Sequence, residues 1–522
     1  VRWSVSHRAL LGVLAAGALA AGGALAGSGA LSGGRAATDL GRATRGGSGG
    51  RGSDPAPPTS GPAVSVRVGA RPLGRPLPGG FVGLSLEYPA LEAYAGSPET
   101  GLDPVLVRLI ANLAPHQRPV LRIGGNSADV TWWPQPGERP PRHALFALTP
   151  GWLRVAAALA RRLDARLILD LNLKGGRPQA AAAEATAFTG ALGTHLAALE
   201  IGNEPDLYPL FPWYRDHGHE VYARPSGYGL AAYLREFSRW RRALGHRAPI
   251  AGPAFATFDW SLGRFLAAQP HLALVTFHHY PLDACLTRTT ARGYPTIRSL
   301  LSPSASSGFA ALVGRAAAVA HAHGLPLRLD ELNSAECSGK PGVSNTFAAA
   351  LWMLDVLFAL ERAGVDGVNV HTFPGAAYAP FSLSRAGRTW SASVAPLYYG
   401  MLLFTRAFPP GARRLPVTAS AAPVAAWATR GPGASTRVLL INPSPRRSYR
   451  ILLRGLLPSG PARLQRLRAP SLSATAGVTL GGVAVTPGGR LPPTRSVLIA
   501  PRHGVLSIVL PAASAALVSL SG

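Results

Sequence analysis

Lysine is almost missing from this sequence. Only Lys174 and Lys340 occur, so 50 of the 52 basic residues are arginines, spread thinly along the 522-residue chain. The formal charge of +27 therefore comes without the basic cluster interleaved with aromatics that a nucleic-acid groove needs, and no nucleic-acid partner is expected. The arginine excess accompanies Ala, Gly and Pro as compositional bias, although its long-range field can still attract anionic polymers. Charged residues make up 15% and hydrophobic ones 47%, a balance that excludes a disordered chain. No His/Cys/Asp spacing suggests a metal site, and nothing in the sequence calls for a cofactor. Cysteine is reduced to Cys285 and Cys337. Beyond residue 34 no apolar stretch approaches membrane length, so contact with a membrane is expected only through the N-terminus.

That N-terminus has the form of a targeting segment. Arg2 and Arg8 lead into ALLGVLAAGALAAGGALAGSGALSGG, residues 9–34, which is uncharged and ends in small residues. A secretory signal has this pattern, and the stretch is also long enough to anchor the chain if uncleaved. Residues 1–34 are therefore expected to export the protein or hold it at the cell surface. Residues 35–62 lack a hydrophobic period and are expected to be a flexible linker.

From Phe81 onward, short β-type runs alternate with helical stretches. The runs are FVGLSLE (81–87), PVLRIGG (119–125), RLILDLN (166–172), LAALEIGNE (196–204), APIAGP (248–253), LALVTFHHY (272–280), LPLRLDE (325–331) and DGVNVHT (366–372). Near-continuous apolar strands separated by helices pair in parallel with both faces covered. Eight of them predict a (β/α)8 TIM barrel, an α/β fold, in preference to a doubly wound sheet. Polar residues gather at the C-terminal tips of the runs: Glu87, Asn126, Asn172, Glu204, Tyr280, Glu331 and His371. Barrel enzymes build their sites at that end. After about residue 400 only short β-rich runs follow, separated by Pro, Gly and Ser, which predicts a β-sandwich. The expected division is a barrel unit over 63–400, whose first strand (62–68) can join the sandwich, and a sandwich over 401–522. Cys285 and Cys337 both follow strand ends on one face, which in an exported chain favours a disulfide over two free thiols.

Glu204 ends the fourth run and Glu331 the seventh, so both should point into one pocket. Two carboxylates facing a shared cleft can cut a glycosidic bond, one protonating the leaving oxygen while the other attacks the anomeric carbon. A gap of about 5–5.5 Å retains stereochemistry through a covalent intermediate, and a wider gap inverts it. Apolar packing is expected to raise the pKa of Glu204, the acid, while Glu331 stays ionised as the nucleophile. Asn203 can donate to a sugar hydroxyl beside the reacting carbon, and Tyr280 can hold Glu331. Asp330 is expected on the other side of its strand, and only one of His278 and His279 can face the pocket.

LRIGGNSAD (121–129), EIGNEP (200–205), TFHHY (276–280), DELNSA (330–335) followed by GVSNTFAAALW (342–352), and VNVHTF (368–373) together resemble glycoside hydrolase family 79. That family contains the heparanases and bacterial β-glucuronidases of the retaining barrel clan. The resemblance covers residues 64–522 and implies Glu204 as acid/base and Glu331 as nucleophile. It also implies Glu87, Gly125, Asn126, Asn203, Tyr280 and Tyr378 around the innermost sugar. It departs at one point. Glucuronide-cutting members present Tyr-Gly-Gly five residues after the nucleophile, to hold the uronate; here that offset reads Glu336, Cys337 and Ser338. A glutamate there is expected to repel a carboxylate, leaving nearby backbone amides or Lys174, Arg177 and Lys340 as candidates to bind it. The expected protein is thus an exported, monomeric retaining β-glycosidase acting on an oligosaccharide, polysaccharide or simpler glycoside, first of all a β-glucuronide. A retaining enzyme for a neutral sugar and a non-catalytic glycan-binding protein of the same fold are the alternatives.

Overall fold

The structure is a computed structural model that describes residues 61–420, 423–455 and 460–520. The expected export segment (1–34) and all but the last two residues of the linker (35–62) lie outside the described residues.

Eight parallel strands close into a barrel in chain order: β1 Val82–Glu87, β2 Val120–Gly124, β3 Arg166–Leu171, β4 Leu196–Ile201, β5 Ile250–Phe255, β6 Leu274–His278, β7 Leu327–Leu332 and β8 Gly367–Thr372. β8 pairs back onto β1, with Val370 opposite Leu84 and Thr372 opposite Leu86. The eight apolar runs of the sequence are these eight staves. Their side chains are buried on both faces because helices cover the outside, as the near-continuous apolar pattern requires.

The covering helices are cut to length by local chemistry. Pro150–Leu163 starts where Thr149 accepts the Trp152 N–H at 3.0 Å, with Pro150 in the first turn, and stops at Asp164 in left-handed conformation (φ 49°). A hydroxyl cap, a proline that needs no donor and a terminal left-handed residue are standard helix punctuation. Trp152, Val155, Ala156 and Leu159 face the barrel, the helical spacing that buries one stripe. Phe347–Arg362, which follows β7, is buried along almost its whole length because the barrel lies on one side and the sandwich on the other. Pro396–Ala407 packs tightly against it: a Cβ at Gly400 would sit 2.3 Å from the Ala350 carbonyl oxygen.

The expected break at 400/401 therefore needs correcting. It falls inside Pro396–Ala407, the helix that follows β8, and the first strand beyond it is Arg413–Leu415. At the other end, Ala63–Val68 stands apart from the barrel. It lies between Val417–Ala419 and Tyr449–Gly455, in a sheet completed by Leu506–Leu510. A second sheet runs Arg413–Leu415, Ala425–Arg430, Thr436–Asn442, Ser514–Leu520, Ala462–Arg468 and Thr479–Leu480. Val64, Val66 and Ile451 from one sheet meet Val438, Leu440 and Val518 from the other in a core of their own. Trp427 is a brace: its indole N–H donates to Asp355 at 2.8 Å and its ring stacks on Phe358 at 5.2 Å.

Candidate active site

The chain leaves β4 through a sharp exit. Glu204 takes a left-handed backbone (φ 49°), its N–H donates to the Ala254 carbonyl near the end of β5 at 3.1 Å, and Pro205 opens a short helical turn. Proline cannot extend the sheet, so the strand ends by lifting its carboxylate over the barrel mouth. Asn203, just before it, is buried. On the far side β7 reaches Glu331 through an irregularity: its register against β8 shifts between Leu329 and Leu332. This bulge corrects the placement of Asp330. Simple alternation would send Asp330 and Glu331 to opposite faces, but a bulge breaks alternation, and both meet His278. The Asp330 Oδ1 lies 3.4 Å from its Nε2 and the Glu331 Oε2 4.0 Å from its Nδ1. Carboxylate oxygens of Glu204 and Glu331 and a nitrogen of His278 all lie within 4.8 Å of one another.

Arg122, in β2, holds this floor together. It is fully buried, and its guanidinium has five N–H donors. Nε donates to Glu200 (3.0 Å), Nη1 to Ser85 (3.4 Å) and Glu331 (2.9 Å), and Nη2 to Asp170 (3.3 Å) and Asn203 (3.0 Å). Charges on the floor balance. Burial acts to raise Glu331, but His371, His278, Arg122 and the Tyr280 hydroxyl outweigh it and hold the carboxyl down at about 2. Burial and Arg122 push His278 down, but Glu331, Asp330 and Glu204 carry it well above the ordinary histidine range. Asp330 is lowered too, with His278 and Arg122 overcoming its burial. Burial raises Glu200 to about 7 and Asp170 well above the carboxylate range. Two cations thus face two ionised carboxylates, while the remaining acids keep protons in acid solution. Glu204 meets a charged partner rather than only the apolar packing expected for it: His278 Nδ1 is 3.2 Å from its Oε1.

The other expected residues surround the same opening. Tyr280 donates to Glu331 Oε1 at 2.8 Å, and its ring stacks with Tyr378, which is buried, at 6.4 Å. Glu87 ends β1, accepts the Ser127 N–H at 2.7 Å and lies 3.4 Å from His371. Gly125 must be glycine, because its φ is 77° and an added Cβ would fall 2.6 Å from the Glu87 carboxylate. Asn126 stands exposed at the rim and accepts from the Asn203 amide at 3.3 Å. The histidine pair divides as alternation requires. His278 faces the carboxylates, and His279 stacks on Phe309 at 5.5 Å, where burial lowers it to about 4. Cys285 and Cys337 are joined as a disulfide. Two of the three cations expected near a sugar anion are engaged elsewhere: Lys174 pairs with Asp129 and Arg177 with Glu138. The third, Lys340, lies over the Tyr294 ring at 5.1 Å.

No family model matches the chain. It is 26% identical over 507 residues to a β-glucuronidase of Aspergillus niger, an alignment covering 84% of this chain and 90% of that protein. With a β-glucuronidase of Neurospora crassa it shares 24% over 485 residues, 82% of each chain. Its fold matches a 4-O-α-L-rhamnosyl-β-D-glucuronidase of Fusarium oxysporum 12S with a TM-score of 0.69 and 21% identity, covering 87% of this chain and all of that one. The chain is a glycoside hydrolase.

The substrate of this hydrolase is a glycoside or saccharide. Its least expected residue is Arg122, which sequence inspection passed over inside the strand-like run PVLRIGG. The signal was present. An arginine within an otherwise apolar buried strand must meet carboxylates, because an unpaired buried charge is prohibitive. His371 was visible only as a strand-tip residue; in the hydrolase it bridges Glu87 and Glu331, 3.6 Å from the latter.

Proposed function

We propose that the protein is a β-glucuronidase working by double displacement, with Glu331 as nucleophile and Glu204 as acid/base. The observation that carries the mechanism is the short gap between the two carboxylates, with oxygens within 4.8 Å. That spacing fits attack on a sugar carbon directly and leaves no room for an intervening water, as inversion would need. The activity named for both curated relatives supports glucuronic acid as the sugar.

In the first step a Glu331 oxygen attacks the anomeric carbon. The bond from that carbon to the aglycone oxygen breaks, and Glu204 gives its proton to the departing oxygen. The product is a glycosyl ester on Glu331. Water then attacks the same carbon, Glu204 takes its proton, and the ester bond breaks to regenerate both carboxyls. Arg122, His278, His371 and Tyr280 keep Glu331 ionised and fixed. Asn203 is oriented by Arg122 and Asn126, which leaves an amide N–H for the hydroxyl next to the reacting carbon.

A second reading, a retaining enzyme for a neutral sugar, is favoured by Glu336 at the pocket. Turnover of 4-nitrophenyl β-glucuronide, β-glucoside and β-galactoside separates the two. Preference for the glucuronide is expected. Preference for a neutral sugar overturns the assignment of the sugar, and release of nitrophenol from none of them points to a binding protein.

A further inference from the structure

Outside the pocket of Glu204 and Glu331, a cleft of about 540 Å³ opens where three separate pieces of chain meet, a volume within the range of ligand sites. Glu99 and Arg108 line one side, from the loop after β1 and the helix Pro104–Leu113 that follows it. Arg385, Arg388 and Trp390 line another, from the antiparallel hairpin Phe381–Ala386 and Thr389–Val394 that follows β8. Gly488, in a loop of the sandwich, completes the wall.

The three pieces are locked together. Arg108 Nη1 donates to the Gly488 carbonyl at 2.8 Å, the Asn112 amide to the Gly489 carbonyl at 2.9 Å, and the Ala392 N–H to the Pro487 carbonyl at 2.7 Å. Gly489 permits the close approach: its φ is 75°, and an added Cβ would fall 2.9 Å from the Val105 carbonyl oxygen. The cleft is therefore built before any ligand arrives, which lowers the ordering cost of binding.

Its lining favours one chemistry. Arg385 and Trp390 stand directly opposite each other in the hairpin, with the guanidinium over the indole ring at 5.6 Å. With Arg388 in the turn and Arg108 on the facing helix, three guanidiniums line one space, and none has a carboxylate partner among the described residues. Glu99, the acid of the lining, accepts the Ser97 hydroxyl at 2.5 Å. With 52 basic residues against 25 acidic ones, an unpaired arginine is ordinary in this chain. Three around a preformed cleft, with an indole in its wall, are a binding surface. A guanidinium fork takes a carboxylate or sulfate through two parallel N–H donors, and an aromatic ring packs on the apolar face of a sugar. A nucleic-acid strand would need successive stacking platforms, and the cleft has a single indole. The hairpin starts three residues after Tyr378. At about 3.4 Å per residue, Arg385 stands roughly 14 Å beyond Phe381, so a ligand that reaches both the pocket and the cleft is a chain of several sugars.

We propose that this cleft is a secondary binding site for an acidic polysaccharide, whose carboxylate or sulfate groups meet Arg108, Arg385 and Arg388 while a sugar ring rests on Trp390. The site goes beyond the glucuronidase reading and stands apart from the cleavage chemistry, so either can fail without the other.

The test uses the full chain carrying Glu331→Gln and measures, by titration calorimetry in 0.15 M salt, the binding of polygalacturonate, dextran sulfate, neutral dextran and an oligothymidylate. At that ionic strength fields fade beyond about 8 Å, so the cleft is read above the net charge. Polygalacturonate, dextran sulfate or both should bind, which tells carboxylate from sulfate, and neutral dextran should bind at least tenfold more weakly. Arg385→Gln with Arg388→Gln should weaken binding of the acidic polymer about tenfold or more, and Trp390→Leu about fivefold. Arg162→Gln with Arg242→Gln removes the same charge from exposed positions on two other helices and should change binding less than twofold. With Glu331 restored, both arginine pairs should leave kcat/KM on 4-nitrophenyl β-glucuronide unchanged. Equal losses from the two pairs, no preference over dextran, tighter binding of the oligothymidylate, or a fall in turnover confined to the cleft variants overturns the proposal. A wild type that cleaves no glucuronide overturns the glucuronidase reading and leaves these binding results to stand by themselves.

Discussion

Glu331→Gln is expected to lower kcat on an aryl β-glucuronide by about 10⁴-fold or more, irrespective of the leaving group. Glutamine fills the same space, and its one carbonyl oxygen can still accept from Arg122 while its NH2 lies beside the Tyr280 hydroxyl, so the loss is chiefly one of nucleophilicity. Glu204→Gln should behave differently. With 4-nitrophenol as leaving group, the first step needs little proton donation, so the glycosyl ester still forms. The second step loses its base and slows by roughly 10²–10⁴-fold. The variant should therefore release one equivalent of nitrophenol per enzyme in a burst and then stall. Rapid-mix kinetics check this, and a burst from Glu331→Gln, with none from Glu204→Gln, would reverse the two roles.

Arg122→Met carries the second large effect, on stability and on the site together. The substitution leaves Glu331, Asp170 and Glu200 clustered without the cation that all three touch. Removing one partner of a buried ionic network typically costs about 3–5 kcal/mol, visible as a lower Tm by calorimetry. It should also raise the Glu331 pKa, moving the acid limb of kcat/KM upward from its low position. The sign for stability follows from the same shift. Glu331 falls from an ordinary 4.5 to about 2, so its contribution is complete above about pH 4.5 and is lost as pH drops toward 2. Arg122→Met should therefore flatten the loss of stability across that window. An unchanged Tm together with an unchanged acid limb would mean that Arg122 does not organise the floor.

Much of this was legible in the sequence because barrel strands announce themselves. Eight apolar runs with polar tips have one economical closure, and Glu204 and Glu331 followed from their positions at two of those tips. What stayed hidden depends on backbone irregularity and on pairing across the barrel. The shift in β7 that turns Asp330 inward has no residue signature, since LRLDEL reads as ordinary alternation. Arg122 meets Glu200, Asp170 and Glu331 on three other strands, and no local spacing encodes that convergence. The division at 400 was misplaced because PLYYGMLLFTRA lies beside β-rich segments, although its apolar residues serve the barrel's last helix.

Proton NMR of the sugar released in the first seconds of reaction tests double displacement most directly. Starting from an aryl β-glucuronide, two successive inversions at the anomeric carbon must deliver β-glucuronic acid first, with the α form growing in later by mutarotation. First appearance of the α-anomer would mean a single inversion, and would contradict the proposed attack by Glu331 on carbon 1.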